Sequence, residues 1–394
     1  MHILMFSYDR TLIEGEQVGD TLLRHKRYSE YLEKLDIVVP APSKTQQGEI
    51  KVSEKLTIYP SHGPKVLSWL RAYLKARKIC QRSKVDIVVT QDALLGFLGV
   101  LLRRKFGCCL QINAFGLEIF NNWWLRQRWL NRWYALTMRW TLRRADLVRT
   151  DATQSRITLI EKLQLKPEKV VVIPALPSQE SIDQFTGADG EAVMSSLKGE
   201  EYDRIVLFVG ALEKVKNIPN LLRAAKLVLV ACPRTLFVII GSGPEKSNLE
   251  KLCRELGISP NIKFMGIIPY GELPAYYAAC DLVVLPSWSE GFSRILMEAM
   301  LSAKPIVATD VGGAREAIVD NETGYIVEIA NSEQMADRIQ KLLESPQIAR
   351  KMGLKGYQRA LTLFDFEENV KKLITTWETM IKYHQDKDNA LVGN

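Results

Sequence analysis

Two glutamates, Glu290 and Glu298, frame a segment whose residue types suit the binding of hydroxyl groups and phosphate. Glu290 lies in a predicted loop, and Glu298 lies on the helix predicted to follow it. Carboxylates accept hydrogen bonds from hydroxyl groups, while a helix N-terminus offers N–H donors and a positive dipole end to phosphate. The segment therefore combines acceptors for the hydroxyls of a sugar and a ribose with donors for a diphosphate. Taken singly, each glutamate also fits a solvated surface position.

A strand, a tight loop and a helix are predicted to position these groups. The apolar run at residues 282–285 ends in Pro-Ser, which is typical of a buried parallel strand. Gly291 allows close backbone approach, and Ser293 is predicted as the N-cap of the helix. Glu290 would hold the sugar and Glu298 the ribose. The other residues of this segment that we predict to bind the ligand follow the first glutamate directly: Gly291, Phe292, Ser293, Arg294 and Ile295.

This segment resembles the donor-binding motif of glycosyltransferase family 4, in which two glutamates are separated by seven residues. The likeness extends over most of residues 203–330, including VIIGSGPEKSNLEKL and KPIVATDVGGAREAIVDNETGYIV. The family consists of retaining enzymes of GT-B fold. The resemblance therefore implies an α/β protein with two Rossmann-like doubly wound domains facing a cleft. It also implies a nucleotide-sugar co-substrate and transfer with retention at the anomeric carbon.

The resemblance implies further catalytic residues and exposes two departures. The family usually places an arginine after the glycine that ends the first strand of its second domain, and a lysine five positions later. Here the glycine is Gly210, the arginine position is Ala211, and the lysine is Lys216, which would stabilise the departing diphosphate. Asn113 occupies the place of a histidine that faces the sugar in the family. It can hydrogen-bond a sugar but cannot relay a proton.

Glycine turns after predicted strands would bring backbone close to the donor. Gly19 lies in the first strand-to-helix loop, where a ligand is expected in a doubly wound domain, although a purely structural turn fits it equally. Gly241 and Gly243 follow the strand FVII and would line the nucleobase and phosphate side. His25, on the helix after Gly19, is the best of the four histidines for a chemical role, but a structural role is more common at such a position.

Length and composition predict two α/β domains rather than one. We expect an N-terminal acceptor domain at 1–185, a linker at 186–202 and a nucleotide-sugar domain at 203–364. Residues 365–394 would form a helix that returns to the first domain, plus a tail. The six cysteines show no CxxC pair and no histidine at metal spacing, which indicates reduced core residues. We expect neither a metal nor another cofactor.

Basic amphipathic segments predict a membrane-facing first domain. Residues 1–185 carry 29 Lys and Arg against 18 Asp and Glu, and residues 65–84 and 123–144 mix apolar and basic side chains without an acid. Tryptophan anchors at headgroup level and arginine neutralises anionic lipid. The alternative is a packed core with a solvated basic face; no nucleic-acid motif is present. The predicted contacts are Trp123, Trp124, Arg126, Trp129, Arg132 and Trp133.

These features together predict a cytoplasmic enzyme, peripheral on the inner face of the membrane, that builds surface polysaccharide, lipopolysaccharide or glycolipid. No signal peptide opens the sequence, and no apolar run is long enough to span a bilayer. Two alternatives stay open. The departures at Ala211 and Asn113 fit a catalytically degenerate membrane or assembly module, and nucleotide-sugar 2-epimerases share the same architecture.

Overall fold

The computed structural model describes residues 1–14, 20–41 and 48–392. Its strands are β1 His2–Phe6, β2 Lys34–Ala41, β3 Ile50–Lys51, β4 Leu56–His62, β5 Ile87–Thr90, β6 Cys109–Asn113, β7 Leu147–Thr150, β8 Val170–Val172, β9 Arg204–Val209, β10 Thr235–Ile240, β11 Ile262–Gly266, β12 Leu282–Leu285, β13 Ile306–Thr309 and β14 Tyr325–Val327. Its α-helices are α1 Thr11–Glu14, α2 Thr21–Glu30, α3 Lys65–Arg82, α4 Gly96–Phe106, α5 Asn122–Gln127, α6 Trp129–Leu142, α7 Thr153–Leu163, α8 Gln179–Thr186, α9 Glu191–Lys198, α10 Ile218–Ala231, α11 Lys246–Leu256, α12 Leu273–Ala279, α13 Arg294–Leu301, α14 Ala314–Ala317, α15 Ser332–Glu344, α16 Pro346–Leu363 and α17 Phe366–Val392.

The chain divides into two compact units whose boundary differs from the predicted one. The first unit comprises Met1–Ser178 and the segment from Phe366 onward, and the second comprises Gln179–Asp365. Residues 186–202, predicted as a linker, instead contain α9 and belong to the second unit. A Cβ placed on Gly190 would lie 2.4 Å from the backbone nitrogen of Ala279, so this segment packs tightly against α12. Its polar composition reflects a surface helix.

The first unit is built on a doubly wound sheet. Within the described ranges its strand order is β3-β4-β2-β1-β5-β6-β7-β8, and every pairing is parallel except that of β3 with β4. The strand order reverses between β1 and β5, which is where such sheets bind ligands, at the carboxyl ends of their strands. Strand β1 is buried along its whole length, because helices cover both faces of a parallel sheet.

Helix α17 packs on the first unit, to which it belongs. Near its start, Glu367 accepts two hydrogen bonds from Arg27 on α2, at 2.8 Å from Nε and 2.7 Å from Nη2. Further along, the fully buried Trp377 donates from Nε1 to Oε1 of Gln111 on β6 at 2.7 Å. The last long helix is thus joined to α2 by a charged pair and to β6 by a buried polar contact.

The second unit is a six-stranded parallel sheet of order β11-β10-β9-β12-β13-β14. Its order reverses between β9 and β12, which lie side by side with Val283 paired to Leu207. The predicted buried strand at residues 282–285 is confirmed, since all four residues of β12 are buried. Loops that leave β9 and β12 therefore open at the same edge of the sheet, on either side of the reversal.

No disulfide bond joins any of the six cysteines, all of which lie in the described part of the chain. Four of the six are buried, among them Cys108 and Cys280. Burial raises the pKa of each of these two thiols to about 12, so both remain protonated at neutral pH. Across residues 1–14, 20–41 and 48–392, no three His, Cys, Asp or Glu side chains are grouped so as to hold a metal ion.

Candidate functional site

An ion pair lies where the strand order of the second sheet reverses. Lys216 follows β9 and Glu290 follows β12, and Nζ of the lysine donates to Oε1 of the glutamate at 2.7 Å. Ser287 donates to the same oxygen from Oγ at 2.6 Å. The two charged side chains keep only 20% and 12% of their surface exposed. The cation and the carboxylate, both predicted to contact the nucleotide-sugar, are thus held in contact. They lie at the edge of the sheet where doubly wound α/β domains bind ligands.

Glu298 is a buried carboxylate rather than an exposed helix acid. Only 5% of the residue is exposed, and its Oε2 accepts a hydrogen bond from Tyr277 Oη at 2.7 Å. Arg294 Nε lies 3.8 Å from its Oε1. Burial, followed by the negative charge of Glu298, raises the pKa of Tyr277 well above its ordinary value, so this hydroxyl remains a donor. One carboxylate oxygen is therefore occupied by the protein core, and the other faces Arg294.

The start of α13 lies between the two glutamates. Ser293 occupies the N-cap position with extended backbone, φ −70° and ψ 125°, as predicted, but its hydroxyl makes no capping hydrogen bond. A Cβ built on Gly210, at the end of β9, would lie 3.6 Å from Cδ1 of Ile295. The first turn of α13 is therefore adjacent to the loop after β9. The first N–H groups of a helix and its positive dipole end suit an anionic ligand there.

Two glycines predicted to line the donor hold the neighbouring loops together. Gly241 has φ +135°, and a Cβ on it would lie 1.9 Å from the carbonyl oxygen of Gly210. A Cβ on Gly243 would lie 2.4 Å from the carbonyl oxygen of Leu212. The loops after β9 and β10 are thus in backbone contact, at a spacing that only glycine permits. These two glycines have a demonstrable packing role beside the site.

The Gly312–Gly313 turn, which follows β13, packs against the loop that carries Glu290. Gly312 has φ +49°, and a Cβ on it would lie 2.3 Å from the carbonyl oxygen of Glu290. The N–H of Gly313 donates to the carbonyl of Gly291 at 2.8 Å. A Cβ on Gly313 would also lie 2.5 Å from the ring of Phe292. Gly291 and Phe292 are thereby fixed in a loop clamped between β12 and the turn after β13.

Three supporting residues carry no sequence signal that would have identified them. Tyr277, which holds Glu298, and Ser287, which holds Glu290, look like ordinary helix and turn residues in the sequence. Thr309 donates from Oγ1 to the carbonyls of Leu285 and Ser287, at 3.2 and 2.8 Å, and so fixes the end of β12. Tyr277 and Thr309 meet partners on other elements, and Ser287 reaches Glu290 only because of the fold of the loop after β12, so the contacts appear only in the tertiary structure.

Arg294 is committed to groups within its own unit. Its Nη2 donates to the hydroxyl of Tyr270 at 2.8 Å, and its guanidinium carbon lies 5.1 Å from the centre of that ring. Tyr270 in turn packs against Phe185 on α8. Lys214, at the start of the 3₁₀ turn that contains Lys216, is exposed. Lys216 therefore pairs with Glu290 and Arg294 lies beside Glu298, while Ala211 provides no cation.

Asn113 lies in the first unit, at the end of β6, and is buried. Its Oδ1 accepts a hydrogen bond from Gln111 Nε2 at 2.9 Å, and Gln111 in turn accepts one from Trp377. The side-chain amide of Asn113 is therefore oriented by α17. Gly19, also predicted to bind the donor, lies outside the described residues.

His25 is a packed, neutral residue. Its Nδ1 lies 2.6 Å from the carbonyl oxygen of Thr21, and its ring meets Tyr28 edge-on at 5.5 Å. Burial, reinforced by the positive charge of Arg24, lowers the pKa of His25 to about 4. These contacts account for the histidine as a structural residue of α2.

The tryptophan-rich segment divides into packed and exposed side chains. Trp124 and Trp140 pack against the apolar core of the first unit, with the Arg144 guanidinium 4.1 Å from the centre of the Trp140 ring. Trp129 and Trp133 on α6 are 72% and 62% exposed. The side chain of Trp123 is outside the described part of the chain. Among the helices that are described, none combines the length and apolar character needed to cross a membrane.

Two family models match the chain in tandem. Residues 35–175 match the glycosyl transferase 4-like domain, and residues 191–359 match the glycosyl transferases group 1 domain. The alpha-D-kanosaminyltransferase of Streptomyces kanamyceticus is 33% identical over 219 residues, which cover 55% of each chain. The chain spans about half the length of the curated relatives it matches first.

Solved structures share the architecture at low sequence identity. Sucrose-phosphate synthase from Thermosynechococcus elongatus superimposes with a TM-score of 0.82 at 21% identity, covering 97% of this chain and 99% of that one. Anabaena HepE in complex with UDP-glucose gives 0.76 at 20% identity, covering 96% and 100%. At these identities the likeness shows the fold alone. Together with the two parallel-sheet units, it confirms the predicted GT-B fold class.

Proposed function

Because this chain belongs to the group 1 glycosyltransferases of GT-B fold, we propose that it transfers a sugar, with retention, from a nucleoside-diphosphate sugar to a lipid-linked or glycan acceptor. The observation that carries the proposal is the 2.7 Å contact between Lys216 and Glu290 where the strand order reverses. A cation for a diphosphate and a carboxylate for a sugar meet there, beside the N-terminus of α13. Anabaena HepE, which shares the fold, is seen with UDP-glucose, and this supports a nucleotide-sugar donor.

The proposed step breaks the bond between the anomeric carbon and the diphosphate oxygen and forms one to the acceptor oxygen on the same face. The departing diphosphate takes the acceptor proton. Lys216 and the start of α13 would stabilise the negative charge that develops on the diphosphate. Glu290 would orient the sugar and stabilise the positive charge that develops at its anomeric carbon. No group on the protein is required to form a covalent intermediate.

Glu298 would bind the two ribose hydroxyls of the donor. Tyr277 already donates to one of its oxygens, which holds the carboxylate rigidly and keeps it oriented. A nucleoside binding here would therefore meet a pre-oriented acceptor and lose less entropy on binding. Gly241 and Gly243 would form the adjoining wall for the base and phosphates, because their backbone is not screened by side chains.

Because Ala211 occupies the position of the family's usual arginine, Lys216 would supply most of the positive charge beside the diphosphate. Arg294 is held by Tyr270 and by Glu298, so its charge is shared with groups of the protein. Lys214, on the same 3₁₀ turn as Lys216, is exposed, so solvent screens its charge. We expect Lys216 to be the principal cation at the leaving group.

The acceptor would be a lipid at an anionic membrane surface, with the protein peripheral on the cytoplasmic face. Trp129, Trp133 and Leu136 recur on one face of α6 and are all more than half exposed. Arg126, Arg128 and Arg132 are exposed around them, and residues 121–145 contain no acid. Exposed tryptophan flanked by arginine matches the interface of an anionic membrane, which favours insertion at headgroup level.

The donor is tested by thermal shift and hydrolysis with UDP-, GDP- and ADP-sugars. We expect one nucleotide series to stabilise the native chain. The stabilisation should be lost in Glu298→Ala and retained in Glu255→Ala, which removes an exposed acid of the same unit. A chain that binds none of these nucleotides would instead act as a degenerate assembly module, and an epimerised free donor formed without acceptor would identify an epimerase.

The stereochemical outcome is tested on the product. Proton NMR of the newly formed linkage should show the anomeric configuration of the donor, and metal chelation should leave the rate unchanged. Inverted product would refute the proposed same-face transfer. Cosedimentation with vesicles containing phosphatidylglycerol should fall for Trp129→Ser and Trp133→Ser, while the donor-induced thermal shift stays intact.

A further inference from the structure

A cavity of about 330 Å³ lies in the first unit between the end of β4 and α3. Three basic side chains of α3 line it, one helical turn apart along a single face. Among the residues that the structure describes, its lining contains no acid. Its lining includes Pro60, His62, Arg71, Leu74, Lys75 and Lys78.

Two of the cations are held in place by backbone carbonyls. Lys75 Nζ donates to the carbonyl of Pro60 at 2.6 Å, and Arg71 Nη1 donates to the carbonyl of His62 at 2.6 Å. Each of these contacts uses one donor of a group that has several, so the cations are pre-oriented and retain capacity for an anion. The negative charge of Glu49, which is exposed and outside the lining, acts on Lys75. Burial lowers the pKa of Lys75, because its charge is only partly solvated there.

An apolar edge adjoins this basic cavity. Leu67, Leu70 and Leu74 recur along α3 and are 39%, 54% and 43% exposed. Leu74 belongs both to this exposed row and to the cavity lining. A ligand that fills both features carries an anionic group and an apolar chain within one molecule. A free inorganic anion would leave the leucine row unused.

Helices α3, α4 and α6 pack in succession, α3 against α4 and α4 against α6. The basic cavity therefore lies on the same layer of helices as Trp129 and Trp133, the proposed membrane anchors. From this arrangement we propose that α3 and the end of β4 form a binding site for the phosphate headgroup of an anionic membrane lipid, with Leu67, Leu70 and Leu74 against its acyl chains. This inference rests on the membrane-facing part of the proposed function and adds to it a discrete lipid site.

The test uses a soluble lipid, dihexanoylphosphatidylglycerol below its micelle concentration, titrated into the full chain by calorimetry. We expect saturable binding at a single site, with dihexanoylphosphatidylcholine and inorganic phosphate each at least about tenfold weaker. Lys75→Gln and Lys78→Gln should each weaken binding about tenfold, since each removes a charge-assisted hydrogen bond to phosphate. Arg82→Gln is the matched control, because it removes the same charge from the same helix outside the cavity.

Inorganic phosphate binding as tightly as the lipid would overturn the role of the leucines, and equal effects of Arg82→Gln and Lys75→Gln would reduce the site to diffuse charge. Lys78 is exposed, so its replacement keeps the test valid if Lys75→Gln disturbs the fold. The donor-induced thermal shift, measured on the same samples, reports separately on the proposed transferase site. Trp133→Ser should lose vesicle binding while retaining the soluble lipid.

Discussion

Neutralising Lys216 and Glu290, singly and together, tests whether the two residues act as one unit. Lys216→Met and Glu290→Gln preserve side-chain length and remove each charge. In the native chain, Nζ of Lys216 lies 2.7 Å from Oε1 of Glu290, and the two side chains are 20% and 12% exposed. Exposed pairs contribute about 0–1 kcal/mol, whereas breaking a fully buried pair costs about 3–5 kcal/mol. Since solvent screens this pair in part, we expect a coupling energy of about 1–2 kcal/mol in the free energy of unfolding.

The same pair should dominate the rate. Removing one preorganised electrostatic contact to a transition state typically lowers kcat about 10²- to 10³-fold, or about 2.7–4 kcal/mol. We expect each single variant to fall in that range at saturating donor. The double variant should lose less than the product of the two single losses, because groups that act on one transition state are not additive.

The assays are urea denaturation followed by tryptophan fluorescence, and initial rates with the nucleotide-sugar that gives the largest thermal shift. Lys214→Met is the control, since it removes an exposed lysine from the same 3₁₀ turn and should stay within about twofold of the native rate. The two single variants each lose some free energy of unfolding. If these losses sum to the loss in the double variant within about 0.5 kcal/mol, the pair is not coupled. A folded Lys216→Met chain with native kcat would refute the assignment of Lys216 to the leaving group.

Three further predictions concern groups around the two sites. Tyr277→Phe should weaken UDP binding about tenfold by calorimetry, because Glu298 loses a hydrogen bond to a charged acceptor worth about 1.5–3 kcal/mol; unchanged affinity would remove Tyr277 from the donor site. Gly241→Ala should lower the free energy of unfolding, measured in urea, by on the order of 3 kcal/mol, because the new Cβ would collide with the loop after β9. The control Gly257→Ala, at a position with φ +72° and open space, should lower it by only about 1 kcal/mol. The pKa of His25 is about 4 in the folded chain and about 6.5 in the unfolded chain, so the unfolded chain binds the proton first as the pH falls from 6.5 to 4. The free energy of unfolding should therefore drop by about 3 kcal/mol between pH 7 and pH 4. His25→Asn should flatten that dependence, and an unchanged slope would contradict the burial of a neutral imidazole.

Features carried by one continuous segment could be predicted from the sequence. Strand β12, the glycine loop and α13 follow one another directly, so the buried apolar run, Gly291 and Ser293 were enough to place Glu290 in a loop and Glu298 on a helix. The two-domain α/β fold also followed from local patterns and from the family resemblance. The segment at 186–202 was misread because a short surface helix and a polar linker have the same composition, and only the packing of Gly190 distinguishes them.

Contacts between distant segments could not be read from the sequence. Tyr277 and Glu298 lie 21 positions apart on different helices, and nothing in either segment shows that they meet in a buried hydrogen bond. Lys216 entered only through resemblance, and its contact with Glu290 spans 74 positions. Such pairings are set by the strand order of the sheet, which places β12 beside β9. Local periodicity carries no information about that order.

The tryptophan-rich segment shows the same division. Its sequence alone determined a basic, apolar, acid-free helix, because composition and helical period are local properties. Only the tertiary structure decided that Trp140 packs against the domain core while Trp129 and Trp133 point to solvent. An apolar residue is favourable against protein or against lipid, and the choice depends on what the rest of the chain places beside it.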